Sequence, residues 1–198
     1  MAPDPRSERF LRACRREPVD ATPIWMMRQA GRSLPAYREF RRKYSFKQVA
    51  GTPELCAEVT LMPLAEMPVD AAIIFADIMT PMACLGIDYE IVEGMGPRVA
   101  DPIRTTAQVE RLASIAPEEA LPELFDAMRL VAERLNGEVP MIGFAGAPFT
   151  LASYLVEGRP NAALPATRAL MTEHPEVWHG LLDRMSSVLV DYMGQQVK

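Results

Sequence analysis

Cysteine is scarce. Cys14, Cys56 and Cys84 are the only three, and they lie far apart. An odd count with no C-x-x-C pair builds no disulfide framework, so the thiols point to a reducing compartment and to burial as small apolar groups. Histidine is scarcer still, with only His174 and His179. Five residues apart, they sit about 140° from each other round a helix, so they share no face and read as solvated or partly packed side chains, not ligands. Long apolar runs are missing as well: stretches such as Ala71 to Ala76 are strand-sized, well short of the roughly 18 residues of a membrane span. The opening Met1-Ala2-Pro3-Asp4-Pro5-Arg6 has no apolar h-region and is not a secretory signal. No internal repeat or low-complexity tract is visible.

The remainder has the make-up of a globular chain. Apolar residues account for 49% and charged residues for 24% of the 198, close to the usual proportions of roughly 45–50% and 25%, and the length suits one domain or slightly more. The net charge of −5 conceals an asymmetry: residues 1–47 carry +7 and the remainder −12. The basic segment is rich in arginine, whose planar fork of donors suits carboxylate or phosphate. A solvated basic helix accounts for Arg6, Arg9, Arg12, Arg15, Arg16, Arg41 and Arg42 as readily as a binding surface does. Nucleic acid is a poor partner for this chain, since the whole is acidic and aromatics do not interleave with the arginines as a stacking platform requires.

Periodicity predicts an exposed helix over 6–16, a buried strand over Ile24–Met27, a loop broken by Gly31 and Pro35, and a short basic helix over 37–44. Thr52-Pro53-Glu54 starts a helix running towards Met67, which Pro63 must kink or shorten. Val69 to Ala76 reads as a second buried strand. Beyond Asp77 the chain turns irregular, with minor extended pieces at Tyr89–Val92 and Arg98–Val99. A strongly amphipathic helix is expected over 118–135, stopped by Asn136-Gly137, then a third buried strand at Val139–Gly143 and shorter helices at 148–157 and 164–173. The last helix, from Pro175, carries Trp178, Leu181, Leu182, Met185, Val188, Leu189 and Tyr192 on one face, which needs a covering layer.

Continuously apolar strands alternating with helices are the pattern of a buried parallel sheet. The residues able to do chemistry fall just after those strands: Arg28 and Arg32, then Asp77, then the Gly143–Pro148 turn with Tyr154. Ligands of parallel α/β folds bind at the carboxyl ends of strands. Pattern alone therefore predicts an α/β domain whose site binds anions and contains one carboxylate, without naming a reaction.

Two segments go further. The run Pro23-Ile24-Trp25-Met26-Met27-Arg28-Gln29-Ala30-Gly31-Arg32-Ser33-Leu34-Pro35-Ala36-Tyr37-Arg38 resembles the first signature of the uroporphyrinogen decarboxylases. Gly143-Phe144-Ala145-Gly146-Ala147-Pro148-Phe149-Thr150-Leu151-Ala152-Ser153-Tyr154 resembles the second. Phe75-Ala76-Asp77-Ile78 and Val92-Glu93-Gly94-Met95-Gly96-Pro97 between them are similar too. The resemblance covers the chain from about Phe10 to its end. It implies a (β/α)8 TIM barrel, with residues 1–198 forming about the first half of one barrel domain. It further implies a homodimer, a cytoplasmic location, no membrane association, and removal of four acetate carboxyls from uroporphyrinogen, without metal or organic cofactor, to give coproporphyrinogen for haem and related tetrapyrroles. By the same resemblance, Arg28, Gln29, Ala30, Gly31 and Arg32 bind the substrate's carboxylates, Asp77 gathers the pyrrole N–H groups, and the Tyr154 hydroxyl touches substrate. Arg28 joins Asp77 as a catalytic candidate, by aiding protonation or by steadying the leaving carboxylate.

The chemistry agrees with these residue types. A carboxylate on a carbon attached to a pyrrole can leave once the ring carbon is protonated, because the cationic ring then accepts the electrons. The protein must supply binding, a proton and an anion to stabilise the cation, and a carboxylate is strongest in that role where water is excluded. Met79, Met82 and Phe144 are candidate apolar walls, or plain core. The plain alternative for Asp77 is an N-cap or loop acid, for Arg28 and Arg32 a structural salt bridge, and for Tyr154 a core tyrosine. Against the family pattern, length stands out: the family's domain continues well past residue 198, so the expectation is a fragment that is inactive alone. A single glycine, Gly158, precedes Arg159 where the family often has a pair. Two other readings stay open: a related barrel methyltransferase using zinc, and a non-catalytic porphyrin-binding protein.

Overall fold

The computed structural model describes residues 5–92 and 94–198. In chain order the elements are helices α1 (Pro5–Cys14), α2 (Pro35–Lys43), α3 (Phe46–Ala50) and α4 (Pro53–Glu66), strand β1 (Ala72–Ile73), a 3-10 helix (Thr80–Leu85), strands β2 (Glu90–Val92) and β3 (Gly96–Arg98), helices α5 (Thr106–Glu110), α6 (Pro117–Ala120) and α7 (Pro122–Leu135), strand β4 (Met141–Ile142), and helices α8 (Pro148–Glu157), α9 (Pro165–Glu173) and α10 (Pro175–Gln196). Contacts divide the chain into two compact units. One holds the residues up to Ala76 with Glu123–Gly143; the other holds Asp77–Pro122 with Phe144–Lys198.

In the first unit β1 and β4 pair in parallel, Ala72 opposite Met141 and Ile73 opposite Ile142. The ladder extends beyond the formal strands, with the Ala72 N–H on the Pro140 carbonyl at 2.9 Å and the Ile74 N–H on the Ile142 carbonyl at 3.1 Å. Val69 and Ala71–Ile74 are buried as the sequence predicts. Met141 and Ile142 are only half-buried, a correction to the fully buried third strand. The Phe75 amide leaves the ladder for the Thr60 hydroxyl (3.0 Å), whose own proton goes to the Cys56 carbonyl (2.8 Å). One threonine on α4 thus ends β1 and holds it on the helix. Proline at N1 starts α4 as expected, and α4 runs through Pro63 to Glu66.

The predicted buried strand at Ile24–Met27 is overturned. These four side chains are 60%, 41%, 47% and 79% exposed. The segment pairs at one point, Asp70 N–H to the Ile24 carbonyl at 2.7 Å, before the Gln29 N–H turns the backbone back onto the Met26 carbonyl at 3.0 Å. A strand needs a continuing ladder and a covering layer, and the turn removes the first. Two other readings change. The helix expected over 118–135 is two, because Leu121 before Pro122 leaves the helical region (φ −139°, ψ 45°), as residues before proline do. Cys14 is exposed at the end of α1, whereas Cys56 and Cys84 are buried.

The second unit has its own core. Met79, Met82, Cys84, Leu85, Leu151, Leu155, Trp178, Leu181 and Met185 form one apolar cluster, so Met79 and Met82 are core and not walls of an open pocket. The apolar face of α10 finds its covering layer here, with Leu182 at its half-buried edge. Strands β2 and β3 make an antiparallel hairpin where the sequence suggests minor extended pieces.

Candidate functional site

The arginine loop, residues 26–34, belongs to the first unit. Its centre is Gln29, 2% exposed. The Gln29 side-chain amide donates to the Ala71 carbonyl at 2.8 Å, and its oxygen accepts the Met26 N–H at 3.3 Å. Gln29 is expected to meet substrate; in the structure its side-chain amide fastens the loop to Ala71, just ahead of β1, and its own N–H closes a turn on the Met26 carbonyl. The far flank is braced by Arg38, whose guanidinium donates to the Arg32 and Ser33 carbonyls at 2.8 and 3.0 Å. Gly31 is needed for space: a Cβ there would lie 2.6 Å from the Arg28 carbonyl oxygen. Ala30 is half-buried and packs against the Phe40, Val49 and Val59 cluster. Arg28 and Arg32 are exposed, with no ion pair or hydrogen bond to either guanidinium among the described residues. The structural salt bridge considered for them is therefore absent among those residues, and the loop presents two uncommitted cations four residues apart.

The N-terminal arginines are less solvated than a basic helix suggests. Arg9 pairs with Asp20 (2.7 Å) and with the buried Asp70 (2.8 Å), and Asp70 also accepts the Ile24 N–H at 2.7 Å. The charged hydrogen bond from Arg9, above all, holds the Asp20 carboxyl down to about 2. Asp70 thus ties α1 and the entrance to the arginine loop to β1, a role the sequence does not announce. Arg41 lies over the Phe46 ring, 5.8 Å from its centroid.

Asp77 opens the second unit and is half-buried. Its Oδ1 accepts the Met79 N–H at 2.8 Å, and its own N–H goes to the Thr80 hydroxyl at 3.2 Å. This reciprocal turn leads into the 3-10 helix, so the capping geometry weighed as the plain alternative is present and orients the carboxylate. Tyr89 reaches the same Thr80 hydroxyl, and burial first, then the charge of Asp77, pushes its phenol up to about 12. Thr80 was missed in the sequence, although Asp77-x-x-Thr80 is a recognisable local capping pattern. Phe144 is half-buried, and its carbonyl accepts the Gln196 amide of α10 at 3.2 Å.

Tyr154 is half-buried on α8. It lines a cavity of about 290 Å³ with Phe149, Ser153, Glu157, Arg159 and Asn161. His174 and His179 sit on or beside α10, where His174 faces Glu176 at 3.6 Å. No group of three or more His, Cys, Asp or Glu suited to a metal occurs among the described residues, and none of their helices is long and apolar enough to cross a membrane.

A parallel strand pair flanked by helices defines an α/β protein, the class in which ligands bind at strand-end loops. The uroporphyrinogen decarboxylase (URO-D) family model matches residues 5–198, and the chain belongs to that family. A curated uroporphyrinogen decarboxylase from Sorangium cellulosum is 50% identical over 190 residues, covering 96% of this chain and 54% of that protein. One from Geobacillus sp. is 47% identical over 194 residues, covering 98% and 56%. Among solved structures, a methyltransferase from Methanosarcina mazei superposes with a TM-score of 0.70 at 18% identity, covering 97% of this chain and 55% of that one; this likeness concerns the fold. The expected class, a (β/α)8 barrel of which the chain carries about half, stands. The chain spans about half the length of the curated relatives it matches.

Proposed function

We propose that this chain serves the cofactor-independent decarboxylation of the four acetate side chains of uroporphyrinogen to coproporphyrinogen, in haem and related tetrapyrrole synthesis. The observation that carries the reading is the braced loop bearing Arg28 and Arg32, both exposed and neither guanidinium paired among the described residues. A substrate with eight carboxylates needs several charged donors, each contributing roughly 1.5–3 kcal/mol. Gln29 and Gly31 act as positioning residues that set the loop's shape. Asp77, oriented by Met79 and Thr80, holds the pyrrole N–H groups and stabilises the ring cation formed on carbon protonation. Collapse of that cation follows: the carbon–carboxylate bond breaks, its electron pair passes into the ring, and carbon dioxide leaves. Arg28 binds the departing carboxylate or assists the proton, and Tyr154 contacts substrate through its hydroxyl.

The two units are read as parts of one barrel domain, in a homodimeric, cytoplasmic enzyme. Substitution of Asp77 by asparagine tests the reading, on a chain of the relatives' full length bearing these 198 residues, where turnover is expected. Carbon dioxide release should fall by about a hundredfold or more, as on loss of a preorganised electrostatic stabiliser, with affinity much less affected. A porphyrin-binding protein would lose affinity alone, and that outcome contradicts the proposal.

A further inference from the structure

A second pair of arginines belongs to the second unit. Arg98 ends β3 and Arg159 follows the left-handed glycine that stops α8. Their backbones are joined directly beside them: the Val99 N–H donates to the Gly158 carbonyl at 2.8 Å. The next residues continue the fastening, with the Ile103 N–H on the Leu155 carbonyl at 3.0 Å and the Arg104 guanidinium on the Val156 carbonyl at 3.2 Å. These bonds take up the carbonyls that a helix end leaves without partners. Gly158 is irreplaceable there on two counts, a φ of +75° and a Cβ position 2.7 Å from the Pro102 ring.

Both arginines line a cavity of about 280 Å³ beside this junction. Both are exposed, and neither has an ion pair or hydrogen bond among the described residues. Arg159 also lines the neighbouring 290 Å³ cavity that contains Tyr154. The acid common to both cavities, Glu157, is already engaged: it accepts the Thr167 N–H (2.8 Å), the Thr167 hydroxyl (3.0 Å) and the Asn161 amide (3.4 Å). Two exposed arginine forks, unpaired among the described residues and rooted on one hydrogen-bonded junction, with the carboxylate common to both cavities turned to its own donors, make a place for an anion.

We propose that Arg98 and Arg159 form a second carboxylate-binding subsite, which takes an acidic side arm of the same polycarboxylate substrate whose body meets Tyr154. The inference rests on the proposed function. The subsite contacts a peripheral arm and takes no part in bond breaking.

Anaerobic equilibrium dialysis against uroporphyrinogen, on a chain of the relatives' full length bearing these 198 residues, tests it, using Arg98→Ala, Arg159→Ala, Arg159→Lys and, as a control for net charge, Arg134→Ala. Arg98→Ala and Arg159→Ala should each weaken binding about tenfold, and Arg159→Lys less, because lysine keeps the charge and loses the fork. Arg134→Ala should stay within about twofold of wild type, as an exposed charge that lines neither cavity does in salt. Wild-type affinity in either alanine variant, or an equal loss in the control, overturns the subsite. Failure of the wild-type chain to bind overturns the proposed function itself and the subsite with it, so the two failures are told apart.

Discussion

Replacing Gln29 with alanine removes both side-chain hydrogen bonds that fasten the arginine loop, to the Ala71 carbonyl and the Met26 N–H. The site is buried, so the loss exceeds two ordinary hydrogen bonds at about 1 kcal/mol each, because the groups left behind are shielded from water and cost about 1–3 kcal/mol apiece. A destabilisation of about 2–4 kcal/mol follows, a large fraction of the roughly 5–15 kcal/mol that holds a domain folded. Urea denaturation measures it. Gln29→Glu sharpens the test. Its oxygen still accepts from Met26, but a carboxylate oxygen then faces the Ala71 carbonyl. Gln29→Glu should therefore be at least as damaging at pH 7 and should recover below the ordinary carboxyl range, where the protonated acid can donate. Unfolding midpoints within experimental error of wild type for both variants would refute the bracing role of Gln29 and the reason given for the loop's shape.

Other predictions concern the same framework. Gly31→Ala places a Cβ 2.6 Å from the Arg28 carbonyl, so the loop must shift, and uroporphyrinogen affinity should drop about tenfold while α-helical circular dichroism is retained. Asp70→Ala takes away one of the two carboxylate partners of Arg9 and leaves the Ile24 N–H without its side-chain acceptor; about 1–3 kcal/mol of stability should be lost in denaturant titration, as for a shielded donor left unpaired. Burial pushes the Cys56 thiol up to about 11. The folded chain thus keeps a proton that the unfolded chain gives up from about pH 9, so stability is full below that point and falls as pH rises towards 11. Cys56→Ala should flatten that fall by about 2 kcal/mol, measured as the difference between two denaturation series. The Tyr89 phenol should ionise near 12, seen as an ultraviolet absorbance change that Tyr89→Phe abolishes.

Local signals carried most of the helices. Proline at the first position marks α4, α8, α9 and α10, and left-handed Asn136, Gly137 and Gly158 mark stops. The same local logic explains the break at Leu121-Pro122, which apolar spacing alone overlooks. Strands were read less well because a ladder depends on a distant partner: Ile24–Met27 is as apolar as Ile73-Ile74, yet only the latter finds β4. The side chains that position the loop were hidden for the same reason. Gln29 meets Ala71 42 residues away and Arg9 meets Asp70 61 residues away, separations that no motif discloses. Asp77 and Tyr154 were legible as chemistry-bearing residues after strands, whereas Arg28 and Arg32 were placed after a strand that does not form. That Arg28 and Arg32 are uncommitted, and that Asp77 is oriented by a turn, required the coordinates.

The central claim is that the Arg28 and Arg32 pair binds the carboxylates of uroporphyrinogen. Anaerobic equilibrium dialysis of the wild-type chain and of Arg28→Ala/Arg32→Ala measures it directly. The account predicts saturable binding by the wild type and a loss of about a hundredfold or more in the double variant, at least about one decade for each charged contact. Equal affinity in the two proteins would contradict it.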